Sequence, residues 1–282
     1  SAIFFMLPAL LVYCCVVVLP ALYTAFLSLF KWNGLGEKKF VLFRNYVNLF
    51  TTDAVFKTAL KNNIIWIILT LLFTMTIALL LAMLLNRKFK GRVVYRAIFY
   101  FPYMLSWIVI GIIWKWIYNP NIGFLDSLLN LLGIQTSGAG WLSDPKIALY
   151  CVFAAALWQG VGQPMLYFLA GLQGIPQELY EAAAVDGAGK VATFFNVTIP
   201  QLKETFVIVL ATLVIASLKV YDVVYVMTNG GPVSSTQTLA SYMYAQTFSY
   251  SNLGTGSAIV VVMMVMMMVI VIPYVLYTTK DE

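Results

Sequence analysis

Six stretches of this chain, about Ile3–Phe30, Asn63–Leu85, Val93–Tyr118, Ile147–Leu172, Phe206–Met227 and Gly256–Tyr277, each run for at least about twenty residues with almost no charge. A helix rising ~1.5 Å per residue needs roughly twenty apolar residues to cross a hydrocarbon layer ~30 Å thick, so each stretch has the length of a membrane span. Lipid leaves no water for the backbone, so every span must bond its own amides, which for apolar runs of this length means helices. The composition agrees. The chain is 62% hydrophobic and 10% charged, against about 25% charged in soluble domains, and it cannot cover a water-facing surface. We therefore expect an all-α polytopic membrane protein with one transmembrane domain over residues 1–282. The connections at about 31–62, 86–92, 119–146, 173–205 and 228–255 are too short for a separate soluble domain. The chain opens at Ser1 directly into apolar sequence, so a native N-terminal segment is expected to precede it, and the first run is too long for a secretory signal.

The formal charge of +6 does not point to nucleic acid. Basic residues flank membrane spans on the cytoplasmic side, and Arg87, Lys88, Lys90, Arg92 and Arg96 crowd the short connection between the second and third spans. Placing that connection inside puts both termini and the 173–205 loop in the cytoplasm and the other three loops outside. The first outer loop nonetheless carries Lys31, Lys38, Lys39, Arg44, Lys57 and Lys61. Cys14, Cys15 and Cys151 sit in apolar runs without metal-ligand spacing, and histidine is absent. No metal or cofactor is expected.

Enzymatic chemistry lacks its parts: there is no GxSxG, no HExxH and no carboxylate pair within a span. "DGAGKVAT" carries a Gly-Lys, but a phosphate-binding loop needs a glycine where Ala184 stands and a hydroxyl residue where Val191 stands. Within the spans, apart from Arg96 at the basic entrance to the third, the charges are Lys115, Lys219 and Asp222. Lys115 lies near a span end. Lys219 and Asp222, three apart, are expected on one helical face, either as an ion pair near the interface or lining a path. Few such groups leave little for a proton- or sodium-coupled carrier.

One passage breaks the apolar pattern: "YEAAAVDGAGKVATFFNVTIPQL", residues 180–202. Pro176 suits a first helical position, "QELYEAAAV" favours helix, and "DGAG" ends it because glycine tolerates the left-handed conformation. "KVATFFNV" can form a second short helix, and Pro200 opens the next span. Glu178 and Glu181 share a face. A short helix-turn-helix of this kind suits docking into a groove of another protein, and an interfacial amphipathic helix fits the same residues.

The stretch from Glu181 to Pro200 resembles the EAA loop of membrane subunits of ABC importers: Glu181, Ala182 and Ala183, then Gly187, then Val197, Ile199 and Pro200. "FRNYVNLFTTDAVFKTALKNN", "YRAIFYFPYMLSWIVIGIIWKWIYNP", "LAGLQGIPQELYEAA" and "VYVMTNGGPVSSTQTL" extend the resemblance to carbohydrate importers, in particular to the larger maltose-type permease subunit without its extra N-terminal spans and large outer domain. The resemblance implies a six-span type I importer permease fold in a bacterial or archaeal cytoplasmic membrane. It implies a second homologous permease subunit, two cytoplasmic ATPase subunits, an extracytoplasmic sugar-binding protein and a sugar as substrate. The coupling loop over 176–200 would seat in an ATPase cleft, with Glu178, Glu181, Ala182, Ala183, Asp186, Gly187 and Pro200 in the contact or its turn, and no chemistry would occur in this chain. Along the sugar's path, Gln159 and Gln163 are four apart on the fourth span, and Ser217 and Tyr221 four apart on the fifth. Each pair is expected to share a helix face, either facing sugar or bonding between helices. Pro164 is expected to kink the fourth span. An ABC permease for another solute, and an autonomous channel or carrier, are the alternatives.

Overall fold

The computed structural model describes residues 2–134 and 140–279; the side chains of residues 2–5, 274, 275 and 277–279 lie outside the described set. Nearly everything described is helical, apart from a two-residue hairpin pairing Phe30–Lys31 with Lys39–Phe40. Among the described residues, three helices are long and apolar enough to cross a membrane alone: Met6–Leu27, Ala54–Asn86 and Leu253–Pro273. Two further crossings require a bent pair to be taken as one span.

The second helix starts at Ala54, well before the expected Asn63, because Asp53 caps it: its carboxylate accepts the Phe56 N–H at 2.9 Å. At 33 residues the helix is about 50 Å long, so it outruns a ~30 Å hydrocarbon core. The other Asp53 oxygen accepts the Tyr242 hydroxyl at 2.6 Å, and that hydroxyl accepts Gln246 Nε2 at 2.7 Å. Burial and then the Asp53 hydrogen bond hold the Tyr242 phenol above its ordinary pKa, so it remains a donor at neutral pH.

Three of the expected spans are interrupted rather than continuous. The third divides into Arg92–Met104 and Trp107–Ile117, bent by 98°. Pro102 cannot donate to the preceding turn, and Ser106 restarts the helix with its Oγ accepting from Val109 N. The fourth divides into Ala148–Gly160 and Gly162–Gly174 at Val161, within the turn that Pro164 deprives of a bond, although Val161 keeps α-helical backbone angles. The fifth departs most from the sequence reading. Its helix, Lys203–Leu218, stops before Lys219, and a new helix, Asp222–Thr228, begins three residues later. Tyr221 sits between them with φ −134°, so Ser217 and Tyr221 do not share a helix face, nor do Lys219 and Asp222. The 69° bend at Leu202 separates Lys203–Leu218 from Lys190–Gln201, so Pro200 lies in the helix before the span and does not open it.

Three buried clusters hold the elements together. One joins the second, fourth and fifth spans through Ala78, Ala82, Met165, Phe168, Leu202 and Val209. A second joins Trp66, Ile110, Val152, Phe153, Val224 and Met227. The third packs Leu49, Phe56, Leu239, Ala258 and Ile259. Small residues allow the close approaches. A side chain at Gly171 would collide with Thr205 and come within 2.8 Å of Leu202, where the fourth and fifth spans converge on the 173–205 loop. Large apolar side chains such as Val16, Leu22, Ile98 and Val269 face outward, an arrangement that hydrocarbon favours and water does not.

Candidate functional site

The loop between the fourth and fifth spans folds largely as its residues dictate. Pro176 immediately precedes the helix Gln177–Val185, and Asp186 follows it. Gly187, at φ +74°, turns the chain: its N–H reaches Ala184 O at 3.1 Å, and Ala188 N reaches Ala183 O at 2.9 Å. These bonds satisfy the last carbonyls of the helix. Nothing lies within 4 Å of where a Cβ would sit on Gly187, so only the backbone conformation calls for glycine there. The return limb runs from Lys190 through a π-helical turn at Phe194–Thr198 to Gln201. Tyr180 Oη and Thr198 Oγ1, 3.3 Å apart, tie the two limbs. Glu178, Glu181, Ala182, Asp186, Gly187 and Pro200 are exposed and Ala183 is half-buried. Val185 is 88% exposed beside them, so the tip presents carboxylates with an uncovered apolar residue.

The second region is a cavity of about 310 Å³ where the three broken spans meet, at the small end of the ~300–1,000 Å³ typical of ligand pockets. Gln159, Gln163, Ser217 and Tyr221 all line it, with Trp66, Tyr103 and Trp107 as further aromatic walls and Lys219 and Asp222 at the fifth-span break. The two pairs meet in space even though one of them is not helical. Their exposure differs. Ser217 is 2% exposed and returns its hydroxyl to Leu213 O at 2.8 Å, so it offers the cavity little. Gln159, 4% exposed, directs Nε2 toward the carbonyls of Tyr103 and Leu105 at 3.4 Å each, while its buried Oε1 has no partner. It thus bonds between helices and keeps an acceptor in reserve. Gln163 bonds Tyr167 Oη at 2.8 Å on its own helix.

A profile described as "Binding-protein-dependent transport system inner membrane component" matches residues 74–279. The chain belongs to this family. A probable ABC transporter permease of Pyrococcus horikoshii is 36% identical over 281 residues, covering 99% of this chain and 96% of that protein. The trehalose/maltose transport system permease protein MalF of Thermococcus litoralis is 34% identical over 257 residues, 90% of this chain and 85% of that one. The sulfoquinovosyl glycerol transport system permease protein SmoG of Agrobacterium fabrum is 35% identical over 92% of this chain and 83% of its own length. Among solved structures, a bacterial ABC transporter involved in import of the acidic polysaccharide alginate superposes with a TM-score of 0.83 at 22% identity, over 98% of this chain and 94% of that one, and so shares its fold. The all-α polytopic fold is that of an ABC importer permease.

Sequence reasoning missed what keeps this permease's spans broken. Asn62 and Asn63 on the second helix are buried. Asn63 Nδ2 binds Ser217 O at 2.9 Å and its Oδ1 accepts Leu239 N at 2.6 Å. Asn62 Nδ2 holds the carbonyls of Ser235 and Gln237 at 2.8 Å each, and Thr238 Oγ1 donates to Val220 O at 2.8 Å. Backbone groups freed at the fifth-span break are thus bonded by side chains, the condition under which non-helical backbone survives at membrane depth. Two adjacent asparagines in a long apolar helix are the one signal for this in the sequence, since they are costly there unless bonded.

Proposed function

We propose that this chain is one of two homologous membrane subunits of an importer that moves a sugar or oligosaccharide across a cytoplasmic membrane in six crossings, with both termini and the 173–205 loop inside. ATP is hydrolysed in two separate subunits, one of which receives the helix Gln177–Val185 in a cleft, and an extracytoplasmic binding protein delivers the sugar. Glu181 makes the charged contact, Glu178 and Asp186 flank it, and Ala182 and Ala183 keep the helix face low enough to enter a groove. The Gly187 turn returns the chain to the fifth span, and Pro200 lies beside the 69° bend through which motion of the loop reaches Lys203–Leu218. The chain itself catalyses nothing.

The observation that carries this reading is the coincidence of the cavity with the three span breaks. The loop joins Gly174 to Lys203, the ends of two interrupted spans whose other ends line the cavity. A push on the loop therefore alters the cavity. The aromatic walls and amide groups suit a saccharide, which combines apolar ring faces with hydroxyls, and relatives named for a cargo include permeases for sulfoquinovosyl glycerol, osmoprotective compounds and trehalose/maltose. Uptake by cells carrying the complete transport system, with the binding protein present and with a panel of labelled mono-, di- and trisaccharides, tests it. Uptake of at least one sugar that ceases when the ATPase subunit is inactivated is expected. Equal uptake without the ATPase or the binding protein would overturn it.

A further inference from the structure

Beyond the cavity, on the side away from the coupling loop, the fifth-span break leads into a run of aromatic rings. Tyr221 lines the cavity. Its ring stacks on Tyr225 at 5.3 Å with a 25° interplanar angle and lies 4.9 Å from Tyr244. Tyr225 and Tyr244 are 6.1 Å apart, and Tyr244 continues to Phe248 at 4.8 Å. Tyr221 immediately precedes Asp222–Thr228 and Tyr225 lies one turn on, with Tyr225 N bonded to Tyr221 O at 2.9 Å. Tyr244 and Phe248 are likewise one turn apart, on Leu239–Tyr244 and the π-helical turn that follows it. The two short helices thus present two rings each to a shared face. Packing alone would bury such a cluster, yet Tyr225 is 47% exposed, Tyr244 37% and Phe248 67%.

We propose that Tyr221, Tyr225, Tyr244 and Phe248 form an aromatic track on which a pyranose ring stacks on its way into the cavity. The inference rests on the carbohydrate reading above and adds residues that it does not use. A pyranose carries C–H groups on its faces and hydroxyls on its rim. An aromatic face is electronegative and attracts those C–H groups, while the rim hydroxyls stay hydrated. Neighbouring rings ~5–6 Å apart offer a sugar similar contacts at each position, with no set of directional hydrogen bonds to break between them. Tyr221 belongs both to the track and to the cavity, where Gln163, Lys219 and Asp222 supply hydrogen-bonding groups. The track carries the sugar by its apolar faces and hands it to a site that reads its hydroxyls.

The test is uptake per assembled complex, in cells carrying the complete system and supplied separately with labelled maltose, maltotriose, trehalose, cellobiose, raffinose and diacetylchitobiose. For whichever sugar the unaltered system moves, Tyr244→Ala and Phe248→Ala should each lower the rate about fivefold at sub-saturating sugar, the size of one stacking contact. Phe248→Tyr should keep the rate within twofold. Phe248→Leu should be as impaired as the alanine variant, because it keeps apolar bulk but loses the ring face. If Leu restores full uptake, Phe248 is covered by a protein or lipid neighbour and the track is overturned. The same follows if both alanine variants match the unaltered system. An unaltered system that moved none of the six would overturn the carbohydrate reading, and the track with it, so the two failures are distinguishable.

Discussion

The coupling loop and the cavity are built in opposite ways. The loop takes its shape from residues within 176–200: a proline before the helix, a glycine at φ +74° after it, and bonds that stay inside the loop, the longest in sequence here joining Tyr180 and Thr198. The cavity lies at breaks in three different spans, and the fifth-span break is held by Asn63, 154 and 176 residues distant from the two backbone groups it bonds. A local device can be altered without touching the rest of the fold. A device assembled from long-range bonds cannot, so substitutions in the two regions should fail differently: loop variants in coupling, frame variants in stability and cavity-wall variants in transport rate.

The largest effect is expected at the loop. Glu181→Lys should abolish sugar-driven ATP hydrolysis in the assembled complex, since it replaces an exposed carboxylate with the opposite charge at the proposed ATPase contact. Gly187→Val should do the same by another route. A β-branched residue is strained at positive φ by about 1–2 kcal/mol or more, and the turn must open. Asparagine tolerates this conformation, and no neighbour obstructs its Cβ, so Gly187→Asn should restore most of the stimulated hydrolysis. Full stimulation and uptake in both Glu181→Lys and Gly187→Val would remove the loop from the coupling path.

The next largest effect should come from the frame of the cavity and should appear as instability. Asn63→Leu leaves Ser217 O and Leu239 N buried without partners, at about 1–3 kcal/mol for each lost bond. The detergent-solubilised complex should melt several degrees lower, with uptake falling in proportion to surviving protein. An unchanged melting curve would mean that the fifth-span break needs no such bonds. This residue also shows how much was legible beforehand. Hydropathy located the apolar runs and the motif located the loop, because both signals are local. The break at Lys219–Tyr221 was not legible. "SLKVYDVV" has no glycine or proline, so nearest-neighbour preferences extend the helix, and what stops it lies on the second helix and beside Thr238. Pro164 marks the one-residue interruption of the fourth span at Val161, since a missing N–H is a local defect. Gln159, Gln163, Ser217 and Tyr221, which line the cavity, stand out in the sequence by their polarity in apolar surroundings, and the aromatic walls Tyr103 and Trp107 do not, because an aromatic in a membrane helix looks the same whether it faces lipid or a cavity.

A smaller effect is expected at Gln163, whose side chain, among the described residues, bonds Tyr167 on its own helix. Gln163→Leu removes a hydrogen-bonding group from the cavity wall without freeing a backbone partner. It should lower uptake several-fold while the amount of assembled complex and its melting temperature stay as before. Unchanged rates for every transported sugar would reassign Gln163 to packing.

The smallest effect, and the one that divides two readings of the same pair, is at Lys219. As an ion pair near the interface, Lys219 and Asp222 would stabilise the end of the fifth span. In the structure the two lie on either side of the break, both are exposed and both line the cavity, and among the described residues Lys219 has no ion-pair partner. An exposed charge without a partner contributes little to stability, about 0.5 kcal/mol or less. Lys219→Gln should therefore leave the melting temperature unchanged within about one degree. Its effect should fall on transport instead, because removing the cation leaves the Asp222 carboxylate as the nearby charge. Uptake of a neutral sugar should change by less than about twofold, and uptake of a carboxylated or sulfonated sugar, if the system accepts one, should fall further. A clear loss of thermal stability with unchanged transport selectivity would restore the ion pair and remove Lys219 from the path. A shift in selectivity at constant stability would make the fifth-span break part of the sugar's route as well as the hinge of the span.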